Sequence, residues 1–275
     1  MTNTRTYLGV PAPPPKVAFY ELTSCEGCQL QLFNDEERLF DFLALFEPVN
    51  FREAMDRRDE DYKIAFVEGS VTRADEVDLL KKIRARAEIL VAFGSCACFG
   101  GVNQLKNRFA NPDWAKRQVY GDFHIESEAA RPLEAVVPVD LHIYGCPVRK
   151  EEVERLVGDL VLGKTPNIPR YPVCMDCKAQ GNLCLFELGE VCLGPVTRAG
   201  CQAWCPSGRM SCWGCRGPSE PANMAELAEV ARRFEIAPER LLDRLECFGG
   251  FGEEAAELRR QLGDPGSRYT GGGKP

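Results

Sequence analysis

Ile89-Leu90-Val91-Ala92-Phe93, followed at once by Gly94-Ser95-Cys96-Ala97-Cys98, decides the fold of this chain. Five apolar residues without polar alternation predict a strand buried on both faces, and the glycine that ends the run delivers two thiols just past its carboxyl end. The same arrangement recurs on either side. Val17-Ala18-Phe19-Tyr20 precedes Thr23-Ser24-Cys25-Glu26-Gly27-Cys28, Ile64-Ala65-Phe66-Val67 precedes Glu68-Gly69-Ser70, and Leu141-His142-Ile143-Tyr144 precedes Gly145-Cys146-Pro147. Between these runs, Val77, Leu80, Ile83 and Ala87 recur at helical spacing, as do Val153, Leu156, Val157, Leu160 and Val161. Leu32, Phe33, Leu39, Phe40, Leu43 and Phe46 predict a helix after the first strand. Strands alternating with helices predict an α/β fold, an open parallel sheet with helices on both faces. The carboxyl ends of such a sheet share one edge, where ligands bind. Cys25, Cys28, Cys146 and one of Cys96 or Cys98 are therefore expected to meet there as a four-thiolate site.

Composition narrows the chemistry. The chain has 275 residues, 44% hydrophobic and 27% charged, which suits one or two compact domains. With 34 basic and 41 acidic residues its net charge is −7, which argues against a nucleic-acid surface. No apolar run approaches the roughly 18–20 residues that span a membrane. The first residues carry neither an apolar signal core nor an Arg-Arg pair, so a cytoplasmic protein is expected. Against 14 cysteines stand 2 histidines, His124 and His142. In a reducing compartment clustered thiols point to metal rather than to disulfides, and so few imidazoles leave zinc or iron–sulfur as the metals thiolate would hold.

Eight of the cysteines are packed between Tyr171 and Gly217: Cys174, Cys177, Cys184, Cys192, Cys201, Cys205, Cys212 and Cys215. The three prolines of Lys164-Thr165-Pro166-Asn167-Ile168-Pro169-Arg170-Tyr171-Pro172 mark a linker. This divides the chain into residues 1–163, the sheet domain, and residues 164–275, a cysteine-rich, mostly irregular and helical domain. Its cluster core spans 171–217 and a helical tail follows, ending in Gly271-Gly272-Gly273. In the core, aliphatic residues are too few for an ordinary interior, and metal–thiolate bonds are expected to replace the missing burial. Eight thiols make two four-ligand sites. Cys174-x2-Cys177 with Cys212-x2-Cys215 could frame a zinc ribbon. Against zinc, the intervening thiols are irregularly spaced and Cys205-Pro206 matches the Cys-Pro that closes ferredoxin cluster runs. Taken singly, Cys25-x2-Cys28 could also be a redox dithiol and Cys146 a small buried hydrophobe. A flavin in the sheet crevice fits poorly, because Glu26 stands where a phosphate-binding loop would need neutral donors. Three all-thiolate sites in one chain read best as a path for electrons.

These residues resemble the small subunits of [NiFe] hydrogenases, and the likeness covers most of the chain. Cys25-Glu26-Gly27-Cys28, Gly94-Ser95-Cys96-Ala97-Cys98-Phe99-Gly100-Gly101 and Gly145-Cys146-Pro147 look like the motifs that hold that family's proximal cluster. By that pattern Cys96 is the ligand and Cys98 is not. Cys184-Leu185-Phe186-Glu187 with Cys192-Leu193-Gly194-Pro195 resembles the distal stretch, and Cys201 with Cys212-Trp213-Gly214-Cys215 the medial one. Cys174 stands where many members carry histidine, and Cys205 where many carry proline. The resemblance thus implies three [4Fe–4S] clusters, all thiolate-ligated: proximal on Cys25, Cys28, Cys96 and Cys146; medial on Cys201, Cys205, Cys212 and Cys215; distal on Cys174, Cys177, Cys184 and Cys192.

All-thiolate ligation without an export signal is similar to the cytoplasmic, bidirectional branch of the family. That likeness implies a non-catalytic subunit of an oxidoreductase, with a large catalytic subunit carrying the NiFe centre and flavin/iron–sulfur reductase subunits as partners. Two other readings stand beside it. A related quinone-reductase-type subunit would have two adjacent cysteines in the first motif and no eight-cysteine region. A zinc-stapled interaction module would have no redox role. In the tail, Met224, Leu227, Val230 and Ala231, then Leu241, Leu242 and Leu245, have helical spacing, with Pro238 starting a new helix and packing within this chain expected. Glu26 is expected to be a solvated or hydrogen-bonded loop acid, with cluster tuning or proton passage as the alternative, and Cys98 and Cys247 to be free thiols.

Overall fold

The computed structural model describes residues 5–7, 10–34, 37–109 and 111–262; the Gly271–Gly273 stretch lies outside them. Seven strands occur among these residues: β1 (Arg5–Tyr7), β2 (Val10–Ala12), β3 (Lys16–Glu21), β4 (Glu47–Asn50), β5 (Ile64–Glu68), β6 (Ile89–Phe93) and β7 (Leu141–Ile143). The helices are α1 (Gly27–Phe33), α2 (Leu39–Leu43), α3 (Ala74–Arg86), α4 (Ser95–Phe99), α5 (Pro112–Tyr120) and α6 (Lys150–Val161), then α7 (Val173–Ala179), α8 (Trp204–Ser207), α9 (Met224–Arg233), α10 (Pro238–Leu245) and α11 (Gly252–Leu262). β1 and β2 form a separate antiparallel pair.

The other five strands make one parallel sheet in the order β4-β3-β5-β6-β7. This is the doubly wound order in which the chain reverses direction across the sheet between β3 and β5. Alternate residues sort by size. Phe19, Phe66 and Phe93 lie on one face with α1, α2 and α6, through Leu32, Phe42, Val153, Leu156 and Val157. Their rings stack, Phe19 on Phe66 at 4.9 Å and Phe19 on Phe51 at 4.2 Å. Ala18, Ala65 and Ala92 lie on the other face, where their small side chains let α3 approach with Leu80 and Ile83. Both faces are buried, which is why the strands read as unbroken apolar runs.

Two sequence expectations change. A strand precedes the second predicted one: Glu47-Pro48-Val49-Asn50 pairs with β3 at the sheet edge, where a proline without N–H is tolerated. The predicted helix over Leu32 to Phe46 is two helices, α1 and α2, with the polar Asn34 at the first one's end.

The cysteine-rich segment is largely irregular, with α7, α8 and a short 3-10 turn at Leu185–Leu188. It does have an interior, and the tail builds it. Leu227 and Ala231 of α9, Leu241, Leu242 and Leu245 of α10, and Phe251 and Ala255 pack against Val173, Phe186, Leu193 and Val196. The tail therefore supplies much of the burial that the segment's own composition lacks. Among the described residues no helix is long and apolar enough to cross a membrane.

Candidate metal centres

Register brings the sheet thiols together. Glu21, Glu68, Phe93 and Ile143 close their strands side by side, Glu21 opposite Glu68, Glu68 opposite Phe93 and Phe93 opposite Ile143. The loops that follow therefore start from one level. Cys25, Cys28, Cys96 and Cys146 lie within electrostatic reach of one another across that edge. Burial raises the Cys28 thiol well above its ordinary value, Cys96 to about 11 and Cys146 to about 12. A nearby cation is what makes thiolate favourable in such surroundings. Cys98 is placed differently: its buried Sγ faces the carbonyls of Ala92 and Ile143, both at 3.7 Å, beneath the edge.

Glycines clear the space around these sulfurs. A Cβ at Gly94 would lie 2.4 Å from Cys28 Sγ, and one at Gly101 2.6 Å from Cys96 Sγ, so only glycine lets the backbone come this close. Backbone N–H groups of Val148 and Val102 are directed at Cys28 and Cys96. Glu68, 2% exposed, caps the cysteine loop by accepting from the backbone N–H of Cys28 at 3.1 Å and of Gln29 at 3.0 Å. Burial raises its carboxyl pKa, and those two N–H groups oppose the shift. Gln29 is buried with neither side-chain amide atom partnered among the described residues. Glu26 adopts a left-handed φ of 60° at the start of α1; its carboxyl is pushed up by burial, then by Glu53 and Glu21.

By the same measure of reach the eight later thiols form one linked series. Cys174 couples to Cys192, Cys177 and Cys184, and Cys192 to Cys177 and Cys184. Cys201 lies within reach of Cys205 and Cys215, and Cys212 within reach of Cys192 first and then of Cys215. Burial pushes Cys174 and Cys215 up to about 12. Cys201, Cys205, Cys212 and Cys215 line a common cavity of about 330 Å³, together with Cys146, Trp204, Trp213 and Phe248. Arg149 stacks on Trp204 at 3.9 Å and Arg244 on Trp213 at 3.3 Å.

Adjacent groups touch through the backbone. The Cys146 N–H is directed at the Cys215 sulfur, joining the sheet-edge thiols to the cavity thiols. The Cys212 N–H donates to Cys192 Sγ at 3.3 Å, joining the cavity thiols to those near Cys192. Ser95, beside Cys96, donates its hydroxyl to the Cys215 carbonyl. Cys247 lies within reach of Cys146. Among the described residues no three Cys, His, Asp or Glu side chains converge tightly enough to grip one metal ion.

Arg216 and Glu152 escaped the sequence reading. Both are buried, their ion pair is 2.7 Å long, and it spans the sheet region and the cysteine-rich segment. The available signal was only an arginine directly after Cys215, and hydropathy does not single out a buried charge.

The sequence profile of the family described as NADH ubiquinone oxidoreductase, 20 Kd subunit, matches residues 25–160. Sulfhydrogenase 2 subunit delta of Pyrococcus furiosus is 37% identical over 233 residues, covering 83% of this chain and 96% of that protein. The delta subunit of the NAD-reducing hydrogenase HoxS of Cupriavidus necator is 29% identical over 56% of this chain and 82% of its own length. Among solved structures, a chain of an NAD+-reducing [NiFe]-hydrogenase in the H2-reduced state superposes with a TM-score of 0.51 at 26% identity, covering 57% of this chain and 96% of that one.

Proposed function

Since the chain belongs to the family of [NiFe]-hydrogenase small subunits that contains sulfhydrogenase subunit delta, we propose that it is the electron-transfer subunit of a cytoplasmic [NiFe] hydrogenase. In this reading it relays electrons between the NiFe centre of a large catalytic subunit and flavin-containing reductase subunits. Cys25, Cys28, Cys96 and Cys146 hold a proximal [4Fe–4S] cluster, Cys201, Cys205, Cys212 and Cys215 a medial one, and Cys174, Cys177, Cys184 and Cys192 a distal one. The division into residues 1–163 and 164–275 belongs to the same proposal. Bound there, the clusters supply one-electron redox chemistry. The protein's part is to hold thiolates, exclude water and direct N–H groups at sulfur, each of which tunes a potential. Val148, Val102, Cys146 and Cys212 provide such N–H groups. Trp204 and Trp213, each under an arginine, line the medial cavity.

The observation that supports this reading is a continuous run of thiols from the sheet edge into the cysteine-rich segment, linked through the Cys146 N–H to Cys215 and the Cys212 N–H to Cys192. The donor set fits iron–sulfur better than zinc. The intervening thiols are too irregularly spaced for a zinc ribbon, and Cys205-Pro206 matches the Cys-Pro that closes ferredoxin cluster runs. A second reading, the iron–sulfur subunit of a quinone-reductase-type complex, draws on the profile match over 25–160. Iron and acid-labile sulfide per chain separate the readings. About twelve irons support three clusters, about four favour the second reading, and zinc without sulfide removes both.

A further inference from the structure

The largest fully buried side chain among the described residues is a charged one, Arg216, 1% exposed. Its Nε donates to the Ala199 carbonyl at 2.9 Å, Nη1 to the Tyr144 carbonyl at 2.6 Å and to Glu152 Oε2 at 2.7 Å, and Nη2 to Glu152 Oε1 at 2.7 Å. Tyr144 stands two residues before Cys146 and Ala199 two before Cys201, so one guanidinium ties a proximal loop to a medial loop. Gly200 makes the room, since a Cβ there would lie 2.3 Å from Nη2. The thiols of Cys201 and Cys215 are within electrostatic reach of Arg216, and the residue lines the medial cavity. Glu152, 4% exposed on α6, approaches these thiols through the guanidinium. A buried ion pair is a poor device for stability alone, because well-packed apolar side chains of similar volume commonly hold a fold as well or better. Packing therefore does not account for a charge at this point.

We propose that Arg216 is a positioning residue for electron transfer: a permanent cation, clamped by Glu152, that sets the reduction potential of the medial cluster. The inference rests on the reading that Cys201, Cys205, Cys212 and Cys215 hold that cluster. In the step concerned, one electron arrives from the proximal side and later leaves toward the distal side, with no bond made or broken. Reduction adds one negative charge beside the guanidinium, which favours the reduced state, while the Glu152 carboxylate opposes it. The two partners of one salt bridge thus act on the potential with opposite signs.

An EPR-monitored redox titration of the purified hydrogenase complex tests this, with Arg216→Gln, Arg216→Lys and Glu152→Gln compared with the parent and iron counted on every sample. Arg216→Gln should make the medial cluster about tenfold harder to reduce, about 59 mV for one electron. Glu152→Gln should shift it in the other direction, and Arg216→Lys should stay close to the parent. Full iron with unmoved potentials, or with both glutamine variants shifted the same way, overturns the proposal. Should Arg216→Gln not assemble, Glu152→Gln decides: an upward shift supports the cation's role, and no shift refutes it. A parent complex without iron–sulfur signals would instead refute the underlying reading of the thiols.

Discussion

Alanine at position 94 gives the sharpest test of the sheet-edge site. Gly94 sits at φ 88° and ψ 169°, a region that residues with a Cβ enter at a cost of about 1–3 kcal/mol. A Cβ there would also stand 2.4 Å from Cys28 Sγ, and such overpacking adds about 1–3 kcal/mol. Gly121 is a matched control: at φ 63° and ψ −136° its backbone is comparably strained, yet a Cβ would meet nothing within 4 Å. Gly94→Ala and Gly121→Ala should therefore share the first penalty and differ by the second. That difference is about 1–3 kcal/mol, and each kcal/mol lowers Tm by roughly 2–4 °C in a protein of this size. Iron should separate the two variants further. A free thiol at Cys28 can swing to another rotamer, but a metal-bound thiolate has no such freedom. Gly94→Ala should fall to about eight irons per chain while Gly121→Ala keeps about twelve, as read by iron and sulfide analysis alongside thermal melting. If the two variants melt together and hold equal iron, the crowding argument is wrong.

Further outcomes concern the carboxylate, the spare thiols and alkali. Glu68→Ala leaves the buried N–H groups of Cys28 and Gln29 without an acceptor and should cost about 2–5 kcal/mol in thermal unfolding, while Glu68→Gln, which keeps one acceptor, should cost less. Cys98→Ala should retain the full iron complement with a loss of about 1 kcal/mol, and equal loss of iron in Cys98→Ala and Cys96→Ala would contradict the ligand choice. Cys205→Ala should leave three medial thiolates and about eleven irons, visible as a changed EPR signal. The metal-free chain should be most stable below about pH 9 and weaken toward pH 12. Its buried thiols, with Cys96 raised to about 11 and Cys146 and Cys215 to about 12, keep their protons in the folded state after the unfolded chain has lost them. Denaturation followed against pH checks this, and the metal-loaded protein should lack the alkaline loss.

Much of the fold could be read from short apolar runs because both sheet faces are buried, which removes the ambiguity of half-exposed strands. β4 escaped because Glu47, Pro48 and Asn50 break its apolar character, and an edge strand tolerates that. The break between α1 and α2 was hidden because apolar residues on both sides of Asn34 keep nearly helical spacing. Of the candidate sites, the cysteines were visible by residue type, and the sheet topology explained how distant ones could meet. The tail helices were visible as amphipathic stripes, though not what they would cover. Glu152 with Arg216 was invisible for a physical reason: each looks like a surface residue until the other is placed against it.

The interior of the cysteine-rich segment is completed by Leu241, Leu245 and Phe251, all synthesised after Cys215. While the ribosome is still making α9 and α10, the eight thiols have been synthesised but much of their apolar lining has not. A chain truncated before α10 would therefore leave these thiols without the apolar lining that shields them from water and oxidants.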